Sequence, residues 1–282
     1  PRKIASAAAR ITTNPKDLKI SEDCVNVMRA LPYFKDGFSF QTGVGGPSIA
    51  TTIFLRKHLQ EMGIKIGWIV GGISTPMVEL MKEGLVDKIA DVQDFDLGAI
   101  ESLGSDPRHF DISASEYANP FNKGAFINKL DFVILSALEV DVDFNVNVLT
   151  GSDGVLRGAP GGHPDTAAAS KCCIIVTPLV RGRIPTICDR VVTVTTPGDS
   201  IDVVVTDHGI AVNPARKDLI EYLDAAGVPH VDIRTLKDMA YAVTGKPDDI
   251  RFHNRVVAVV EARDGTVMDV VHQVKPFDIN EV

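Results

Sequence analysis

From residue 37 onward, short apolar runs alternate with amphipathic stretches. Phe38–Gln41 reads as a strand and Gly43-Val44-Gly45-Gly46 as a tight turn. Pro47 then suits the first turn of a helix, where its missing N–H leaves no bond unmade. Leu55, Leu59 and Met62 recur at helical spacing and Gly63 stops that helix. Ile64–Val70 is the next strand, with Gly71-Gly72 as the turn that follows. Ser74 or Thr75 then caps a helix running to Lys82, with Pro76 in its first turn. Val86–Val92 reads as a strand and Asp96–Leu103 as a short helix. Phe132–Leu138, Ile174–Thr177, Val191–Thr195 and Val203–Thr206 are apolar runs of the buried-strand kind. Helices follow at Lys217–Ala226 and Thr235–Val243. Val256–Ala262 and Val267–Val274 flank Arg263-Asp264-Gly265-Thr266, a strong hairpin signal.

Strands alternating with helices predict βαβ units, hence an α/β fold with a mainly parallel sheet covered on both faces. Residues 1–36 are expected to be a lead-in segment, irregular or helical over its first part, and 37–282 one domain. A division near Thr150–Gly154 is the weaker alternative, because no linker-like stretch stands out.

Composition narrows the partners. The 282 residues are 45% hydrophobic and 23% charged, enough apolar material for a sizeable core. No apolar run approaches the roughly 20 residues that span a bilayer. A formal net charge of -8 with no basic stripe argues against nucleic acid and anionic membranes. Cys24, Cys172, Cys173 and Cys188 show neither CxxC spacing nor a His/Cys cluster. Neither a zinc site nor a disulfide framework is indicated, and a cytoplasmic setting is expected. The chain opens on Pro1 rather than Met, which suggests a piece of something longer.

Four segments are candidates for chemistry. Gly43, Gly45 and Gly46 precede Ser48 between a strand and a helix, where N–H groups and the helix dipole suit an anion or an oxyanion. An ordinary βα turn has the same composition, and both readings stay open. Ser48 stands where the dinucleotide fingerprint wants its last glycine, and no Gly-Lys-Ser/Thr completes a P-loop. Gly72, Ser74 and Thr75 occupy a second strand-to-helix junction, the kind of place where α/β sheets bind ligands. The third segment carries Arg157, Gly158, Gly161, Gly162, His163 and Asp165 before the small-residue stretch Ala167–Ser170. His163 suits acid–base work or a carboxylate contact, and Asp165 or Thr166 suits a helix cap. In the fourth, Glu139, Asp141 and Asp143 alternate with apolar residues, so on a strand they share one face. Three like charges resist burial without partners, so that face is expected to be solvated, or else to place some of them in a polar cleft, and no metal is expected there.

These segments, in this order, resemble the CoA-transferase superfamily. From Gly37 to about Pro214 the chain is similar to the C-terminal half of citrate lyase alpha subunits. The resemblance rests on Gly71-Gly72-Ile73 with Met77-Val78, on Val92-Gln93-Asp94-Phe95-Asp96-Leu97, and on Pro107-Arg108-His109. Ile112-Ser113-Ala114-Ser115 and Tyr117-Ala118-Asn119-Pro120 continue it. So do Glu139 to Val148, Thr150-Gly151-Ser152-Asp153-Gly154, and Gly161 to Ala168. Asp189 to Gly198 and Thr206 to Pro214 complete the series.

The resemblance implies a Rossmann-like CoA-transferase fold, in which two such domains pair with the active site between them. The N-terminal half of the same subunit would be the missing partner. It implies exchange of acetate for citrate on the thioester of an acyl carrier protein (gamma) subunit, followed by cleavage on a beta subunit. No tightly bound cofactor is implied. The CoA-like prosthetic group of the carrier protein enters as substrate. Butyrate-type relatives carry Gly-Ile-His-Thr-Glu-Met, whose glutamate attacks the thioester. Here the run is Gly72-Ile73-Ser74-Thr75-Pro76-Met77, and proline has no nucleophile.

On this basis Gly45-Gly46 and Gly161-Gly162 are expected to donate to the oxyanion. Arg157, Arg181 and His163 are expected to bind carboxylates, Ser74 and Thr75 to orient the thioester, and Glu139 to be the remaining catalytic carboxylate candidate. Gly162→Val is expected to abolish transfer and leave the fold intact. Two alternatives stand beside this reading: a CoA-transferase or hydrolase using free acyl-CoA, and a non-enzymatic scaffold that binds the carrier protein. Citrate is the acid the resemblance implies, and the residues do not by themselves distinguish it from a citramalate-type acid.

Overall fold

The computed structural model describes residues 12–43 and 45–275. In chain order its strands are β1 (Phe38–Thr42), β2 (Ile66–Ile73), β3 (Val86–Asp94), β4 (His109–Asp111), β5 (Phe132–Ser136), β6 (Glu139–Asp141), β7 (Val146–Asn147), β8 (Cys172–Val176), β9 (Val180–Arg181), β10 (Ile184–Pro185), β11 (Ile187–Cys188), β12 (Val203–Thr206), β13 (Gly209–Val212), β14 (Phe252–Glu261) and β15 (Val267–Val274). The helices are α1 (Pro15–Ala30), α2 (Gly46–Met62), α3 (Thr75–Lys82), α4 (Leu97–Leu103), α5 (Ala114–Ala118), α6 (His163–Ala169), α7 (Lys217–Ala226) and α8 (Ile233–Thr244).

Eight strands form one sheet in the order β13-β12-β8-β5-β1-β2-β3-β4. Every neighbouring pair is parallel except β12–β13. The central strands are continuous apolar runs because both faces are covered. Alternation sorts their side chains into two cores. Phe132, Ile134, Ile174, Val203 and Val205 pack with α1, α2, α3 and α7. Val133, Leu135, Cys173, Ile175 and Val204 pack on the opposite face with α6 and α8.

The expected lead-in contains α1, which Asn14 caps by accepting from the Lys16 N–H. Ile20, Cys24, Val25 and Met28 of α1 are buried in the first core. Residues 1–11 of that lead-in lie outside the described residues. Three small units flank the main sheet: β11-β6-β7, the β9–β10 pair and the β14–β15 ribbon. The ribbon matches the hairpin expected around Asp264-Gly265. It is tied down by Asp269, which accepts from the Val194 N–H at 2.7 Å, and by Arg263, which pairs with Asp165 at 2.8 Å.

Several local expectations need correcting. Val191–Thr195 is irregular chain rather than a strand; its threonine hydroxyls are spent on bonds to the distant Val148–Thr150 segment, such as Val148 N–H to Thr195 Oγ1 at 3.0 Å and Thr150 Oγ1 to Thr193 Oγ1 at 2.9 Å. Gly71 and Gly72 belong to β2 and pair with Asp91 and Gln93 of β3. Ser74 occupies the N-cap position of α3 without capping it. Asp96 does that work from the next loop, accepting from the Thr75 N–H at 2.8 Å and the Thr75 hydroxyl at 2.6 Å. Its Oδ1 also accepts from the Ala99 N–H at 3.0 Å, so one carboxylate caps α3 and α4 together. Asp165 and Thr166 lie inside α6, and Gly162 holds the N-cap position.

The Glu139–Asp143 face also differs from expectation. The strand ends at Asp141, and Asp143 beyond it is exposed. Glu139 and Asp141 are buried, each with compensating donors. Asp141 accepts from the N–H groups of Asp143 and Asn145 at 3.0 Å. Glu139 accepts from Asn147 Nδ2 at 2.9 Å. Local hydrogen bonds, rather than solvent, satisfy these charges.

Candidate functional site

The sheet reverses its direction of growth between β1 and β5, with β2, β3 and β4 on one side and β8 and β12 on the other. Crevices form at the carboxyl ends of strands at such a switch point. A cleft of about 520 Å³ opens there. Gln41 and Thr42 reach it from the end of β1, Leu135 and Ser136 from the end of β5, and Gly72 from β2. Two larger clefts, of about 630 and 560 Å³, lie between α1 and α7 and beneath the ribbon. Neither sits at the switch point.

The glycines shape this cleft by what they leave out. Gly45 is the N-cap of the 17-residue helix α2, and a Cβ there would fall 2.6 Å from Ser136 Oγ. Ser136 Oγ is itself 3.0 Å from Ser48 Oγ. A Cβ on Gly72 would fall 1.9 Å from the Phe95 ring, which walls the cleft. A Cβ on Gly162 would lie 2.9 Å from the Tyr117 ring. The Gly43 N–H donates to the Ile134 carbonyl at 2.9 Å, which removes it from the donor set. The N–H groups of Gly45, Gly161 and Gly162 meet no acceptor among the described residues. Gly45 alone of the three stands at the N-terminus of α2, where the helix dipole adds positive potential.

His163 forms part of the floor and is 8% exposed. Its Nε2 lies 3.2 Å from the Ser136 carbonyl oxygen, a pure acceptor, so Nε2 carries the proton. Nδ1 then accepts from the Thr196 hydroxyl at 2.7 Å. Burial pushes His163 down to about 4, so it is neutral at pH 7 with both nitrogens engaged. That is a positioning arrangement, and it leaves no lone pair for a substrate proton. Arg181 lines the same cleft and donates from Nη2 to the Ala137 carbonyl at 2.8 Å. The residue is exposed, but desolvation of its guanidinium against the wall lowers its pKa, and an arginine still retains its charge at neutral pH. Among the described residues lining the cleft there is no Asp, Glu, Cys or Lys.

The structure thus brings Gly43, Gly45, Gly72, Gly161, Gly162, His163 and Arg181 together. It places the other expected residues elsewhere. Glu139 borders the cleft beneath the ribbon, where burial raises its pKa against the pull of Asn147 and the Val192 N–H. Arg157 is exposed and pairs with Asp153 at 2.5 Å. Gly158 lies outside the wall, fitted against the Val148 carbonyl. Gly46 packs on Asp17, Ser74 is fully buried, Thr75 is bound to Asp96, and Asp165 to Arg263.

Sequence reasoning missed Gln41, Tyr117, Ser136, Phe95 and Thr196. Gln41 sits inside a predicted strand, where period-2 patterning treats a lone polar residue as noise. It also missed a buried network at the β3–β4 edge. His109 Nε2 lies 3.1 Å from Asp91 Oδ2, and Nδ1 lies 3.0 Å from Ser102 Oγ. Asp94 closes on the same point, and burial followed by Asp91 raises it to about 6. An irregularity in the β2–β3 register between Gly71 and Gly72 brings Asp91 and Asp94 to the same side.

Comparison with known proteins bears on this geometry. The family model described as citrate lyase, alpha subunit (CitF) matches residues 1–274. The chain is 56% identical to the citrate lyase alpha chain of Escherichia coli K12 over 273 residues, covering 97% of this chain and 54% of that protein. A Streptococcus mutans crystal structure, assigned as the alpha subunit of citrate lyase and in complex with citrate, superposes with a TM-score of 0.95. It is 54% identical and covers 98% of this chain and 54% of that one. A Pseudomonas malonate decarboxylase hetero-tetramer shares the fold alone, at a TM-score of 0.57 and 16% identity, with 80% of this chain and 49% of that one covered. The chain spans about half the length of the curated relatives it matches.

Proposed function

The chain belongs to the citrate lyase alpha subunit family, and from that premise we propose that its switch-point cleft exchanges acetate for citrate on the thioester of an acyl carrier protein. One observation carries the direct-exchange form of this reading. The described wall offers backbone N–H donors and one guanidinium but no nucleophilic carboxylate or thiol. Pro76, in the first turn of α3, cannot supply one either. A carboxylate oxygen of the incoming acid attacks the acetyl thioester carbon, and the thiolate leaves, giving a mixed anhydride. The thiolate then attacks the citryl carbonyl and acetate departs. Each step builds charge on a carbonyl oxygen. The N–H groups of Gly45, Gly161 and Gly162 are the donors for it, each worth on the order of 3 kcal/mol. Arg181 draws in the anionic acid, and holding both reactants in one cleft supplies much of the remaining rate.

In this reading the beta subunit, the carrier protein and the N-terminal half of the longer subunit are the partners. The N-terminal half faces the open side of the cleft, and the carrier's CoA-like arm is a substrate rather than a resident cofactor. Four free, buried cysteines fit a cytoplasmic setting. The test uses the full-length subunit with acetyl carrier protein and a panel of di- and tricarboxylates, citramalate included. Citrate-dependent acetate release is expected, with no enzyme-bound acyl group trapped by hydroxylamine. Exchange on free acetyl-CoA at equal rate would favour a conventional CoA-transferase. Binding of the carrier without exchange would favour a scaffold.

A further inference from the structure

Inside the cleft, one buried amide is left half satisfied. Gln41 is 6% exposed, and its Nε2 donates to the Tyr117 hydroxyl oxygen at 2.7 Å. Its Oε1 is buried, faces no donor, and belongs to a side chain that lines the cleft. Tyr117 is itself 9% exposed, and burial pushes its phenol up to about 12, so it keeps its proton. That proton has no acceptor among the described residues.

Two glycines hold the pair in place. Gly71 has φ +110, and a Cβ there would press on the Gln41 amide carbon at 3.2 Å. Gly162 gives the Tyr117 ring its room, since a Cβ would sit 3.0 Å from the phenol oxygen. Both side chains are therefore fixed by backbone on either flank. An unmade buried bond of this kind is costly unless a ligand completes it.

We propose that Gln41 and Tyr117 together read the alcohol hydroxyl of the incoming hydroxy acid and so set its specificity. The inference rests on the acyl-exchange reading given above. The pair presents one acceptor, Oε1, beside one donor, the phenol O–H. An alcohol is the one group of a hydroxy-polycarboxylate that both donates and accepts. A carboxylate only accepts, so it meets repulsion at Oε1. Carboxylates have their own donors in Arg181 and the glycine N–H groups. A site built to bond a hydroxyl rejects the analogue that lacks it far better than an apolar pocket rejects a methylene.

The test compares citrate with tricarballylate, the same tricarboxylate without the hydroxyl, by calorimetry on the full-length subunit. Acetate release from acetyl carrier protein is followed in parallel. Wild-type protein is expected to bind citrate at least about tenfold more tightly than tricarballylate. Gln41→Leu should weaken citrate by about that factor, leave tricarballylate unchanged and bring the ratio near one. Tyr117→Phe deletes a single atom and keeps the ring against Gly162; it should collapse the ratio as well, and it remains informative if the leucine variant folds poorly. Equal binding of the two acids by wild type overturns the inference. So does parallel loss of both acids in either variant, or no citrate binding at all. Absence of acetate release with the binding ratio intact would sink the exchange reading and leave the hydroxyl contact standing.

Discussion

His163 allows the sharpest test of the site geometry, because so few influences act on it. Burial and the Ser136 carbonyl are the two that set its pKa, and no charged group contributes. In the unfolded chain the imidazole titrates near its ordinary value of 6.5, and in the fold near 4. Between those values the unfolded state binds more protons, so stability rises with pH. The contribution is complete above pH 6.5 and is lost as pH falls through about 4. At about 1.4 kcal/mol per pH unit, that gap corresponds to about 3 kcal/mol. Other groups titrate in the same range. Asp94, raised to about 6, has the opposite sign: its native form binds more protons between 3.8 and 6, and stability falls with pH there. The difference between wild type and His163→Gln removes such background. Glutamine can still donate to the Ser136 carbonyl and accept from Thr196, but it does not titrate. Urea unfolding of both proteins should show wild type gaining about 3 kcal/mol on the variant as pH rises from 4 to 6.5. A difference independent of pH would refute the buried, neutral His163, and with it the Nε2–Ser136 and Nδ1–Thr196 assignment.

Four further outcomes follow from particular contacts. Gly162→Val strikes the Tyr117 ring, with even its Cβ 2.9 Å away, so it should destabilise by about 1–3 kcal/mol as well as abolish exchange. The sequence-based expectation of an intact fold is therefore replaced, and a melting curve checks it. Gly161→Ala has open space and only the cost of φ +52, so it should lose about 1 kcal/mol of stability and keep exchange largely intact in the acetate assay. Asp96→Ala removes bonds to Thr75 and Ala99 that cap two helices, and should cost about 2 kcal/mol in chemical denaturation. Glu139→Gln should leave exchange within a few-fold of wild type, because Glu139 faces a different cleft. Recovery of a hydroxamate at position 139 from wild type, by mass spectrometry after hydroxylamine, would reverse that assignment.

The α/β architecture was legible because both-face burial leaves an unambiguous trace. Cys172–Val176 and Val203–Thr206 are apolar at every or nearly every position, and both are interior strands of the eight-stranded sheet. Helix ends were legible where a residue type has a single physical use. Gly63 terminates α2 at φ 65, and Gly227 terminates α7 at φ 67. Val191–Thr195 was misread because alternating valines and threonines satisfy a strand pattern whether or not a neighbour is there to pair with. Glu139 and Asp141 were misread for a related reason. Their donors come from Asn147, Asn145 and the Val192 N–H, and no spacing rule announces that such partners converge.

The same limit explains which half of the site could be read from residue order. Glycines flag places where backbone comes close to something, but not what that something is. Gly45, Gly72 and Gly162 stand out in the sequence and line the cleft, yet what each accommodates is a side chain: Ser136, Phe95 and Tyr117 in turn. These partners lie 91, 23 and 45 residues away along the chain. The glycines are therefore only partly a surface for ligand backbone contacts. They are also the sockets that let three larger side chains lie flat against the sheet and form the cleft wall. A glycine loop is consequently weak as a motif, since its chemistry is written at the distant positions it makes room for. It also follows that adding a Cβ at these positions should disturb specificity through the displaced side chain before it blocks a substrate. Gly71, which carries no assigned catalytic role, tests the idea at the added stability cost of a side chain at φ +110. Gly71→Ala should shift the Gln41 amide and lower the citrate-to-tricarballylate ratio, even though position 71 does not line the cleft.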